Sequence, residues 1–244
     1  MVLTDGEISR YDRQMLVRGI GEEGQRKLKA ARVVIAGSGG LGTPAALYLA
    51  AAGVGTIRVI DGDDVELSNL NRQVLHWQKD VGRKKTDSIS EKLRQLNSDI
   101  VIDPVQDMIT EANVRDMVSG FHLVLDGTDN LETRFLLNSA AIQEGIPFVH
   151  GAVYGFEGRV SVILPGKTPC LGCIYRGPIP KQKSPIIGVT AAVVGSLQAT
   201  EAIKYILGLG QLLTNQLLVY NGLRMRFATL TIKRDPNCRY CSHL

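Results

Sequence analysis

A β-branched run, Ala31-Arg32-Val33-Val34-Ile35-Ala36, stops at a cluster of glycines. A short apolar run bounded by turn residues reads as a buried strand. Residues 43–52 follow as a small, apolar helix. Pro44 sits near its start, where a missing N–H costs little, and Gly53 closes it. Thr56-Ile57-Arg58-Val59-Ile60-Asp61 reads as a second strand. Strand, glycine turn, helix and strand in about thirty residues make a βαβ unit with parallel strands.

The alternation continues. Residues 84–97, 110–118 and 133–144 read as helices, and 100–102, 123–126 and 148–153 as strands. Before this unit, residues 8–29 mix polar and apolar positions as a helix does. The character changes after residue 154. Residues 158–164 alternate apolar with polar, as antiparallel strands do. Residues 165–185 are rich in Pro, Gly and Lys and read as an irregular crossover. A small-residue helix over 189–207 and antiparallel strands over 217–220 and 226–232 complete the chain. The expected fold is α/β: a Rossmann-like doubly wound sheet, parallel in the N-terminal half and antiparallel in the C-terminal half, with helices at the N-terminus. The expected organisation is one domain over 1–244: a helical segment at 1–29, a nucleotide-binding half at 30–153 and an antiparallel half at 154–244.

Net charge is +4 over 244 residues. That is too mild to mark a nucleic-acid surface. Residues 1–10 have no apolar core after a basic stretch, so no signal peptide is expected. The most apolar segment, 186–209, is interrupted by Gln198, Glu201 and Lys204, so no membrane span is expected. The chain reads as cytoplasmic.

The glycine turn fits Gly-x-Gly-x-x-Gly as Gly37, Gly39 and Gly42. Backbone N–H groups there, with the helix N-terminus behind them, favour a phosphate. Asp61 ends the next strand, where a carboxylate can bind ribose hydroxyls. These residues alone leave ATP and a nicotinamide cofactor both open. The polar stretch 63–73 and Lys85 lie beyond the carboxyl end of a parallel strand, where ligands of such sheets bind. Arg72 and Lys85 could pair with phosphates there; a solvated loop and a surface lysine are the plainer alternative. Asp126-Gly127-Thr128-Asp129-Asn130 follows another strand at the same edge. A carboxylate there could hold Mg2+, or the segment could simply cap a helix.

All four cysteines fall in two Cys-x-x-Cys pairs, Cys170/Cys173 and Cys238/Cys241. Two such pairs can close a tetrahedral, structural Zn2+ shell. The separation does not by itself bring the pairs together, and buried thiols or a redox pair remain open.

Several motifs in order carry a resemblance: Tyr11-Asp12-Arg13-Gln14, the turn 37–42, Asp61, Ser68-Asn69-Leu70-Asn71-Arg72-Gln73, Lys85, Asp126 to Asn130, Gly195-Ser196-Leu197-Gln198-Ala199 and both cysteine pairs. The chain resembles the ThiF/MoeB/HesA family, the ubiquitin-activating-enzyme-like adenylyltransferases, over nearly its whole length. The resemblance implies ATP as the nucleotide. It places Gly40, Asp61, Ser68, Asn69, Arg72, Lys85, Asp129 and Asn130 around it, with Asp129 near Mg2+. It makes Arg13 an arginine finger that reaches the triphosphate of the other subunit of a homodimer. It implies a small ubiquitin-like sulfur carrier ending in Gly-Gly, whose carboxylate becomes an acyl-adenylate, for molybdopterin or thiamine synthesis.

Many relatives carry a further cysteine in the crossover; this chain has Lys181-Gln182-Lys183-Ser184 there. With four cysteines on zinc, no thiol is left as a nucleophile, and adenylation alone is expected. Two alternatives stand beside this reading. A nicotinamide-dependent oxidoreductase uses the glycine turn and Asp61 but leaves Arg13, Arg72, Lys85 and the cysteines unused. A non-catalytic module that binds a ubiquitin-like protein leaves the charged set unexplained.

Overall fold

A computed structural model of the chain describes residues 2–175 and 185–244. The segment Lys181 to Ser184, on which the missing crossover cysteine was read, lies outside the described residues.

The N-terminal residues form two helices, α1 (Asp5–Met15) and α2 (Gly21–Ala30), where the sequence predicts one over 8–29. The chain turns between them, with Gly19 at φ 92° in the left-handed region. Thr4 and Glu7 close a reciprocal capping box at the start of α1. The βαβ unit follows as β1 (Arg32–Ala36), α3 (Gly42–Ala51) and β2 (Thr56–Ile60). Then come α4 (Lys85–Leu96), β3 (Val101–Val105), α5 (Val114–Val118), β4 (Leu123–Asp126), α6 (Leu131–Glu144) and β5 (Phe148–Tyr154). The second half holds β6 (Glu157–Ile163), the short α7 (Leu171–Ile174), α8 (Gly188–Leu207), β7 (Gln216–Asn221) and β8 (Arg226–Thr231).

The strands build one eight-stranded sheet in the order β3-β2-β1-β4-β5-β6-β7-β8. Pairing is parallel from β3 through β5 and antiparallel from β5 through β8. This is the mixed architecture expected. Pro104 sits in β3, the edge strand, where a missing donor is tolerated. Helix α5 begins later than predicted because the Asn113 side chain accepts from Thr110 N at 2.8 Å and holds 110–113 in a turn.

The centre of the sheet is dry. Val33, Val34, Ile35 and Ala36 of β1 are buried on both faces, as a central parallel strand requires. Ala45, Ala46, Leu49 and Ala50 of α3 cover one face with Ile89 and Leu93 of α4. Small residues let α8 sit close to α3: a Cβ on Gly195 would lie 2.4 Å from Leu41 O. No helix among the described residues is long and apolar enough to cross a membrane.

Candidate nucleotide site and metal centre

The turn after β1 is shaped first by backbone crowding. Gly37 has φ 96° and donates to Ile60 O at 2.8 Å. A Cβ on Gly42 would lie 1.8 Å from Gly37 O, so no side chain fits. The result is a tight arch whose next three N–H groups, on Gly39, Gly40 and Leu41, donate no hydrogen bond among the described residues. They stand at the N-terminus of α3, where donors and helix dipole together favour an anion. Ser38 turns the other way: its N–H and hydroxyl both donate to Asp61 Oδ2, at 2.8 and 2.9 Å. Asp61 Oδ1 accepts from Asp63 N at 3.0 Å. The ribose-binding candidate thus also braces the turn.

The loop beyond β2 brings the expected cations to this arch. Lys85, first residue of α4, is 8% exposed at its side chain, with Nζ 2.8 Å from Asp63 Oδ2 and 3.9 Å from Asp61 Oδ1. Arg72 Nη1 donates to Ser68 O at 2.8 Å and to Asn71 Oδ1 at 3.1 Å. Its stem lies along the turn: Cγ is 3.5 Å from where a Cβ on Gly40 would be. The start of α8 closes the loop from behind, since a Cβ on Gly188 would meet Asn71 O at 2.4 Å. Ser68 Oγ donates to Glu66 Oε2, and Asn69 Oδ1 accepts from Glu66 N, so both shape the loop itself. Gln73 is a residue whose position the sequence did not disclose. Its amide lies beside Gly39, and its Oε1 is buried without a hydrogen-bond partner among the described residues. Such an orphaned acceptor fits a site that a polar ligand completes.

The acidic segment after β4 separates into three roles. Asp126 is fully buried and accepts from Arg134 Nε at 3.1 Å and from Thr128 Oγ1 at 2.8 Å. It also accepts from His150 Nδ1 at 2.8 Å, which leaves His150 Nε2 to accept from Tyr175 Oη at 2.9 Å. Burial raises Asp126, yet Arg134, His150 and Thr128 outweigh it and hold the carboxyl below its ordinary value. Burial holds His150 below the imidazole range. Asp126 is therefore committed to this internal network and is not a metal ligand. Asn130 caps α6 by accepting from Thr133 N at 2.8 Å. Asp129 is exposed and has no hydrogen-bond or ion-pair partner among the described residues, so its carboxylate could hold a cation.

Arg13 is not brought to this site. It is exposed on α1, and its neighbour Gln14 donates to Ala52 O, at the C-terminal end of α3. The glycine turn is at the other end of that helix, about 15 Å away for ten residues.

The two cysteine pairs do meet. All four sulfurs lie within 4.8 Å of one another and are buried. Cys170 and Cys238 Sγ are 3.5 Å apart, and Cys173 and Cys241 Sγ 3.7 Å. Disulfides need about 2.05 Å; four thiolates on one tetrahedral zinc at 2.3 Å stand about 3.8 Å apart. The donor set and spacing fit the metal. Leu171 N donates to Asn138 Oδ1 at 2.9 Å, tying the first pair to α6. Tyr240 stacks on Phe135 of the same helix at 5.0 Å, tying the second.

The chain matches the family described as the ThiF family over residues 11–240. It is 42% identical to the SAMP-activating enzyme E1 of Haloferax volcanii, covering 96% of this chain and 89% of that protein. It is 42% identical to the sulfur carrier protein adenylyltransferase of Thermus thermophilus, covering 98% and 92%. The probable adenylyltransferase/sulfurtransferase MoeZ of Mycobacterium tuberculosis is also 42% identical, but the chain spans only 62% of it. Among solved structures, E. coli MccB crystallised with ATP superposes with a TM-score of 0.88 at 26% identity, over 98% of this chain and 75% of that one. With matched residues running from α1 to the second cysteine pair, the chain belongs to the ThiF family.

Proposed function

We propose that this adenylyltransferase uses ATP to activate the C-terminal glycine carboxylate of a small ubiquitin-like sulfur carrier ending in Gly-Gly, for molybdopterin, thiamine or a related sulfur-containing cofactor. One observation carries the reading. Two cations, Arg72 and Lys85, converge with three free backbone N–H groups at the carboxyl edge of the parallel strands. That is a site for a polyanion.

A carboxylate that attacks a triphosphate meets strong repulsion. Arg72 and Lys85 neutralise charge on the phosphates, and the N–H groups of Gly39, Gly40 and Leu41 hold them. Asp61, Ser68, Asn69 and Asn130 join them around the nucleotide, as the resemblance implies. Mg2+ held at Asp129 would add charge stabilisation. The carrier's carboxylate is already ionised near neutral pH, so no general base is needed. Its oxygen bonds to the α-phosphorus as the bond to the β-phosphate oxygen breaks; acyl-adenylate and pyrophosphate result. All four cysteines of the chain sit in the proposed Zn2+ cluster, so none is free to form a thioester.

Two surfaces support a multichain reaction. Arg13 is exposed on α1, near the C-terminal end of α3 and away from its own glycine turn, which is compatible with the role the resemblance implies for it, reaching the phosphates of a second copy in a homodimer. Edge strand β8 leaves one backbone edge unpaired in the sheet, and Leu223, Met225, Phe227 and Leu230 of its hairpin are exposed, an edge suited to a protein partner. We place this chemistry in one domain, residues 1–244, in the cytoplasm; a thiol-based metal centre suits that compartment.

The test is direct. Incubation with ATP, Mg2+ and a Gly-Gly carrier should yield carrier bearing AMP at its C-terminus, read by intact-mass spectrometry. A carrier that stays unmodified, with the nucleotide unchanged, contradicts the proposal.

A further inference from the structure

His76 is 3% exposed and held at both ring nitrogens. Nε2 lies 3.0 Å from Ser38 O, and Nδ1 lies 2.9 Å from Ser88 Oγ. A carbonyl can only accept, so Nε2 carries the proton and Nδ1 accepts from the Ser88 hydroxyl. Ser88 Oγ in turn accepts from Lys92 Nζ at 2.9 Å, and Lys92 is paired with buried Asp80. Burial, aided by the charges of Lys85 and Lys92, keeps the imidazole below its usual range despite the Ser38 hydrogen bond. The ring is therefore neutral and its tautomer is fixed.

The consequence falls on one peptide plane. There are no cis peptide bonds among the described residues, and in a trans peptide the C=O and N–H point in opposite directions. Fixing Ser38 O against His76 aims Gly39 N–H away from it. That N–H opens the free run at the head of α3. Glycine at 39 makes the flipped plane accessible, so the orientation needs a lock. His76 also joins the turn to the loop of Arg72, because its own N–H donates to Gln73 O at 2.9 Å.

We propose that His76 is a positioning residue for ATP: through Ser38 O it locks the Ser38–Gly39 peptide so that Gly39 N–H faces the phosphates. The imidazole touches no nucleotide, and the inference rests on the ATP-dependent reading above. Calorimetric titration of the full chain with ATP and Mg2+, without carrier, tests it in the wild type, His76→Leu, His76→Gln and Ser88→Ala. Folding of each is checked by urea unfolding on the fluorescence of Trp77, the single tryptophan. His76→Leu should bind about tenfold more weakly, the loss of one hydrogen bond. His76→Gln, whose amide N–H can reach the same carbonyl, should return to within about threefold, and Ser88→Ala should bind about threefold more weakly. Equal affinity of His76→Leu and wild type overturns the inference, as does a Gln variant as weak as the Leu variant. If His76→Leu fails to unfold cooperatively, Ser88→Ala decides, and unchanged affinity there overturns it. A wild type that binds no ATP contradicts the functional reading itself, and the inference with it.

Discussion

On the proposed reading Arg72 and Lys85 serve the same anion from different surroundings, and their loss should look different. Arg72 is half-buried and held by a carbonyl and an amide oxygen. Removing it takes away transition-state charge, at about 2–4 kcal/mol in the barrier. Arg72→Ala should lose ATP–pyrophosphate exchange by on the order of a hundredfold while its urea midpoint stays unchanged. Lys85 is buried beside Asp61, so Lys85→Ala leaves that near-buried carboxylate without its cation. It should lose exchange and stability together; an unshifted midpoint would contradict this placement. Asp80 sets a third expectation. Burial raises it, yet Lys92 and the Trp77 N–H hold it down to about 2. A depressed carboxylate stabilises the fold above its unfolded pKa and loses that as pH falls through the folded value. Its share, on the order of 2 kcal/mol, should vanish between about pH 4 and pH 2. The acid limb of Asp80→Asn should lack this slope; an identical limb would contradict the pairing.

At the scale of elements, most of the sheet was legible because its strands are apolar runs punctuated by glycine and acid. The β1 run, the arch after it and Asp61 declare themselves by composition. The split between α1 and α2 did not, since the polar–apolar mixture runs on through residues 16–20. Local composition did not separate the roles of Asp126 and Asp129 either; only the resemblance singled out Asp129. Register decides them, because Asp126 stands opposite Ala36 in the middle of the sheet. Long-range partners such as His76, Arg134 and Tyr175 carry no local signal at all. The cysteine pairs were legible as chemistry but not as a meeting point. They tie α7 to the C-terminal tail and both to α6. Chelation should therefore release one zinc per chain. Hydrogen exchange should rise around residues 165–175 and 233–244 while ATP affinity holds. A metal-free preparation with four titratable thiols and an unchanged melting curve would contradict a structural zinc.

At the scale of the whole molecule, the account needs more than one chain. Arg13 stands at the wrong end of α3 to reach its own glycine turn. Arg13→Ala and Arg72→Ala should each be nearly inactive alone. Mixed and allowed to exchange subunits, they should recover about a quarter of wild-type exchange, because half the dimers are mixed and each holds one intact site. No recovery would place Arg13 elsewhere. The most direct measurement remains the exchange of labelled pyrophosphate into ATP by the wild-type chain, with and without a carrier ending in Gly-Gly. The account predicts exchange only when the carrier is present, and none when its terminal carboxylate is amidated. Exchange that ignores the carrier, or its absence with an intact one, would contradict the claim that this site activates a protein's C-terminal carboxylate.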